Sequence, residues 1–109
     1  MADDPELLER VRALLGTERD VVERRMFGSI GFMVGGVLRV GVGVGRKRDH
    51  VMMARIPLAD EAQALTSPGV KPAVMAGRSR HGWLFFDDEA VDSDEQLERW
   101  VASALAAEA

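Results

Sequence analysis

The stretch Phe32-Met33-Val34-Gly35-Gly36-Val37-Leu38-Arg39-Val40 constrains this chain more than any other. Two adjacent glycines accept the positive φ angles of a two-residue hairpin turn, and apolar residues alternate on both sides of them. The pattern predicts two antiparallel strands, with Ile30, Phe32 and Val34 on one face of the first. Leu38, Val40, Val42 and Val44 share a face of the second. Further strands are expected at 21–27, at 50–56 after a turn built on Arg46 to Asp49, around Val74 and Met75, and across 81–86.

Helices bracket these strands. Asp4 suits a cap and Pro5 the first helical position, and Leu7, Leu8, Val11, Leu14 and Leu15 recur at helical spacing up to Gly16. Near the other end Ser93 and Gln96 have capping-box spacing ahead of a stripe of Leu97, Trp100, Val101, Ala104 and Leu105. A short internal helix is expected after Pro57, with Leu58, Ala62 and Leu65 inward, and 67–72 reads as a loop. The resulting class is α+β: an antiparallel sheet of five to six strands, helices at both termini and one short internal helix. At 109 residues a single domain over 1–109 is expected.

Charge is segregated along the chain. Residues 1–20 hold six acids and three bases, and 87–109 hold eight acids and one base. Between them stand ten bases and four acids, so a net charge of −4 conceals a basic middle. Such a layout either addresses an anionic partner or is met by the chain's own acidic helices. No apolar run reaches the roughly 18 residues that a membrane span needs, and the acidic start lacks the pattern of a secretion signal. A cytoplasmic protein without membrane contact is expected. The absence of cysteine excludes disulfides, thiolate nucleophiles and thiolate metal ligands.

Residues 39–48, Arg-Val-Gly-Val-Gly-Val-Gly-Arg-Lys-Arg, invite comparison with phosphate-binding loops. The dinucleotide pattern G-x-G-x-x-G fails because Gly45 arrives one residue early, and no P-loop pattern is complete. Gly41, Gly43 and Gly45 alternate with valines at period two, which is a strand whose glycine face is bare. Close packing against that face, or a partner segment lying on it, would account for glycines in a strand. His50 and His81 have no ligand-spaced companions, no serine lies in a nucleophile elbow, and the acids from Asp87 to Glu95 read as a helix start. No catalytic residue, metal site or cofactor is expected. Arg78, Arg80 and His81 beside Trp83, Phe85 and Phe86 have the basic and aromatic mixture of single-stranded nucleic-acid binders. The shared strand face of Trp83 and Phe85 is equally a core pattern.

The segments 23–36, with Arg25-Met26-Phe27-Gly28 followed by Gly31, and 67–105 resemble the N-terminal domain of the TfoX/Sxy family. The second carries Pro68-Gly69, Lys71-Pro72, Gly77-Arg78, Gly82-Trp83 and an acidic approach to a helix with Trp100, as in small stand-alone actinobacterial members. Arg55 matches a position where such sequences carry arginine, while Ser29 departs from the second glycine usual after Met-Phe-Gly. The resemblance implies a compact α+β domain without a settled enzymatic activity. Two-domain members regulate natural competence, acting with a cyclic-AMP receptor protein at promoters, and add a C-terminal helix-hairpin-helix-like domain that this sequence is not expected to include.

The expectation is a regulatory or protein-interaction domain, not an enzyme, whose surface combines Arg24, Arg25 and Phe27 with Arg55, Arg78 and Trp83. A protein partner, with a transcription regulator as one candidate, is the first reading. Nucleic-acid binding by the same basic middle is the second, and a small anionic ligand the third. An exposed sheet edge would also allow a homodimer.

Overall fold

The computed structural model describes residues 5–16, 18–26, 29–43, 50–75 and 77–107. The expected cap Asp4, the motif residues Phe27 and Gly28, the strand end Val44-Gly45 and the turn 46–49 lie outside the described residues. Helix α1 spans Pro5–Leu15 and is followed by β1 (Val21–Met26), β2 (Ser29–Val34), β3 (Val37–Gly43) and β4 (Met52–Arg55). A 3-10 turn, Leu58–Asp60, runs into the short helix α2 (Glu61–Ala64). Strands β5 (Val70–Met75) and β6 (Arg78–Phe86), a second 3-10 turn (Asp88–Ala90) and helix α3 (Asp94–Ala106) complete the order. The strands form one sheet in the order β1-β2-β3-β4-β6-β5, every neighbour antiparallel. The α+β class read from the sequence is the class of the fold.

The Gly35-Gly36 turn is formed as its sequence demands, with φ of 63° and 83° joining Val34 to Val37. Alternation then sorts the side chains. Ile30, Phe32, Val40, Val42, Met52, Ala54, Leu84 and Phe86 are buried in one cluster with Leu7, Val11 and Leu15 of α1, Ala64 of α2, and Leu97, Trp100, Val101 and Ala104 of α3. All three helices therefore cover the same face of the sheet. Each fully buried Leu, Phe or Val stabilises this layer by about 1.5–3 kcal/mol. The start of α3 is fixed by its capping box, in which the Gln96 amide donates to Ser93 Oγ (3.1 Å) and the Ser93 amide to Gln96 Oε1 (2.9 Å). Trp100 packs on Phe86 and donates its indole N–H to the Ala90 carbonyl at 3.0 Å, tying α3 to the turn before it.

Four expectations require correction. Leu38 does not share the core face with Val40, because Arg39 is an extra residue between the pairs Phe32–Val40 and Met33–Leu38. This β-bulge turns Leu38 to the other side of the sheet, where it pairs with Met33. In the internal helix Leu58 and Ala62 are exposed and Ala64 is the buried residue, since the 3-10 turn shifts the phase of the helix that follows. The loop expected at 67–72 yields to β5 from Val70 onward. Pro72 is accommodated because β5 is the outermost strand, where a missing N–H costs no ladder bond. Finally, Trp83 and Phe85 do share a face, but it is not the core face.

Candidate interaction surface

Six strands carry seven lysines and arginines (Arg24, Arg25, Arg39, Arg55, Lys71, Arg78 and Arg80) and one carboxylate, Glu23. That carboxylate is already engaged. Arg12 of α1 donates to both Glu23 oxygens, from Nε and Nη2, each at 2.8 Å, and to Glu9 at 2.7 Å. The pair raises the Arg12 pKa, chiefly through the hydrogen bond to Glu23, and the same bond holds the Glu23 carboxyl below its ordinary 4.5. Acidic helices and a cationic sheet thus meet partly through α1, and Arg10 extends the link to α3 through Asp94 at 3.2 Å.

The face of the sheet away from the helices can be followed strand by strand. The register aligns Arg24, Gly31, Gly41, Met53, Phe85 and Lys71 in one row across all six strands. Two residues further along lie Val22, Met33 and Leu38, and beyond them the pair Arg55–Trp83. This face is apolar and cationic together. A methyl group at Gly41 would meet the Met53 side chain at 3.5 Å, so a neighbouring side chain, not a helix, lies against the bare strand. Phe85 is covered by His50, whose ring stacks on it at 3.7 Å and 3°. The Arg55 guanidinium lies over the Trp83 ring, 5.6 Å from its centroid, and both residues are half-buried. Lys71 approaches Asp87 at 3.9 Å.

The Arg55–Trp83 contact is positioned by an irregularity in β6. Leu84 pairs with Pro72 but Ser79 with Val74, so four residues of β6 stand opposite the single Ala73. The kink centres on Gly82, at φ 86°. Its carbonyl accepts from the Ile56 amide at 2.7 Å, and its own amide donates to Glu61 Oε2 at 3.0 Å. Glu61 also lies 3.6 Å from Nδ1 of His81. Helix α2 therefore serves as an anchor that sets where Trp83 emerges.

The expected surface residues divide into three groups. Arg24 and Arg25 are both exposed on β1, Arg24 on the outer face and Arg25 on the helix side, and among the described residues neither pairs with a carboxylate. Arg55 and Trp83 come together on the outer face. Arg78 is exposed at the β5–β6 hairpin, four strand spacings and about 19 Å from β1 across the sheet. Phe27 lies outside the described residues. One further base is drawn inward and half-buried: the bulge aims Arg39 at the C-terminal end of α3, where it donates to the carbonyls of Ala104 (3.2 Å) and Ala107. Helix carbonyls at a C-terminus carry partial negative charge and attract a cation. A basic residue within an apolar strand was the only sequence signal for this role.

Among the described residues no three His, Asp or Glu side chains gather to hold a metal ion, and no helix is long and apolar enough to cross a membrane.

Fold and surface together define a two-layer α+β domain with helices on one face of an antiparallel sheet and cations along the other. The family model described as TfoX N-terminal domain matches residues 13–108, nearly the whole chain, and the protein belongs to that family. Comparison with curated proteins and with solved structures gives no match.

Proposed function

We propose that this protein is a regulatory or protein-interaction domain, without catalytic machinery of its own, that binds a partner through the cationic margin and outer face of its sheet. The observation that carries the reading is the distribution of charge. The one carboxylate on the strands is bound by Arg12, while Arg24 and Arg25 stand exposed and among the described residues pair with no acid. A fold needs neither arginine there for its own packing. The family's regulators of competence make a cytoplasmic transcription regulator one candidate partner. Because Arg78 lies far from β1, the test uses two charge reversals. Capture of binding proteins by the native chain should be lost with Arg24→Glu/Arg25→Glu and retained with Arg78→Glu; partners held equally by all three would sink the proposal.

A second reading, nucleic-acid binding, is favoured by the Arg55–Trp83 and His50–Phe85 stacks beside Lys71. It predicts affinity for single strands that falls steeply with salt. Both aromatic rings already have a planar partner in the free protein, which places this reading second.

A further inference from the structure

A sheet of six strands has two edges, and they are guarded differently. The β5 edge carries Pro72, which has no N–H, and a register break between Pro72 and Val74. Both features block addition of another strand. The β1 edge has neither: all six residues from Val21 to Met26 pair with β2 without a shift. The Gly35 amide donates to the Asp20 carbonyl (3.2 Å), so the hydrogen-bonded pairs with β2 fall at even-numbered positions. Alternation then points the amides and carbonyls of Val21, Glu23 and Arg25 away from the sheet. Val22, at 49% exposure, adds an apolar side chain at the same margin.

We infer that β1 is a docking edge for an extended acidic segment of a partner protein, which adds to the sheet as a seventh strand. This rests on the interaction reading above and names the geometry and chemistry of its partner. Main-chain bonds to Val21, Glu23 and Arg25 supply a sequence-independent part of the binding, and the side chains opposite supply selectivity. Antiparallel addition puts two successive residues of the incoming strand opposite Arg25 and Arg24, one on each face. Arg24's partner in β2 is Gly31, which offers no side chain to compete for the guanidinium.

A second copy of the chain fits this edge poorly. Symmetric antiparallel pairing must keep residues of one face together, so a central dyad falls on Glu23 or on Arg24. A dyad on Glu23 sets two carboxylates directly opposite one another; a dyad on Arg24 sets two guanidiniums opposite and offers Arg25 only Glu23, which Arg12 already holds. An acidic strand from a different protein meets no such conflict.

The probe is the capped peptide acetyl-Val-Glu-Glu-Thr-Val-Thr-amide, whose glutamates fall opposite Arg25 and Arg24. Binding is read by NMR amide exchange and shifts at low salt, with the lysine counterpart acetyl-Val-Lys-Lys-Thr-Val-Thr-amide as control. The acidic peptide should slow exchange at Val21, Glu23 and Arg25 and bind at least about 10-fold more tightly than the control. Arg25→Pro removes one outward donor while leaving every β2 bond in place, and it should abolish the protection. Arg24→Glu/Arg25→Glu keeps all donors and should reverse the preference between the two peptides. Equal binding of both peptides, protection at β5, or no protection at millimolar peptide would each overturn the inference. So would a native dimer whose β1 amides are already protected without peptide. Loss of a captured partner on Arg24/Arg25 reversal, together with failure of the peptide, removes the edge geometry but leaves the interaction reading standing. Absence of any charge-dependent partner removes both.

Discussion

Replacement of Gly69 by alanine separates two costs that are usually confounded. Gly69 immediately precedes β5 and sits at φ 81°, and its carbonyl accepts from the Asp87 amide at 2.8 Å. Gly36, at the tip of the first hairpin, has a matching φ of 83° with nothing within 4 Å of an added methyl group. Alanine at Gly36 therefore meets only the left-handed backbone penalty, about 1–2 kcal/mol. At Gly69 the methyl group would also stand 2.6 Å from Glu89 Cγ, 3.0 Å from the Ala90 nitrogen and 3.1 Å from Ala90 Cβ. The exposed Glu89 side chain can turn aside, but the Ala90 nitrogen and Cβ are held by the 3-10 turn before α3, so overpacking adds about 1–3 kcal/mol. The entropy that alanine removes from the unfolded chain is common to both variants and cancels. Gly69→Ala should therefore cost about 1–3 kcal/mol more than Gly36→Ala in urea unfolding. At about 4 °C per kcal/mol for a domain of this size, its midpoint should lie about 4–12 °C lower. Equal losses in the two variants would refute the close approach of the β5 turn to the α3 turn.

Two other outcomes are expected. The Glu23 carboxyl titrates lower in the folded protein than in the unfolded chain, so its contribution is complete above the unfolded pKa and is lost as pH falls through the folded one. Glu23→Gln should lower stability at neutral pH and leave it nearly unchanged at the acid end, where the native carboxyl is protonated anyway, so that the acid limb flattens; an unaltered limb would deny the Arg12 pairing its role. Arg39→Met keeps the aliphatic stem but removes two charge-assisted bonds to α3. After allowing for relief of the buried, unpartnered Nε, it should cost about 1–3 kcal/mol and loosen amide exchange at the end of α3; a neutral result would show that water replaces the guanidinium freely.

The legible parts of this fold are those where one local pattern has one solution. Gly35-Gly36 between alternating apolar runs allows little but a hairpin, and Ser93 with Gln96 marks a helix start that forms as read. The family, too, was legible from its paired motifs. Less legible were places where one residue resets the phase. Arg39 looks like one more base among the ten in the middle of the chain, yet as a bulge residue it turns Leu38 outward and caps a helix 65 positions away. Trp83 and Phe85 alternate as core residues do, and an alternating strand does not say which of its faces the helices cover.

Sequence alone determined the α+β class, the amphipathic helices at the two ends, the cationic middle and the family, because each depends on local periodicity, composition or motif. Tertiary structure decided which cations remain available. Register put Arg24 beside Gly31 and Arg55 over Trp83, topology sent Arg78 to a distant corner, and the strand order left β1 as the edge without a proline or a register break. Such choices follow from pairings between residues far apart in the chain, and their energies exist only once the sheet is assembled.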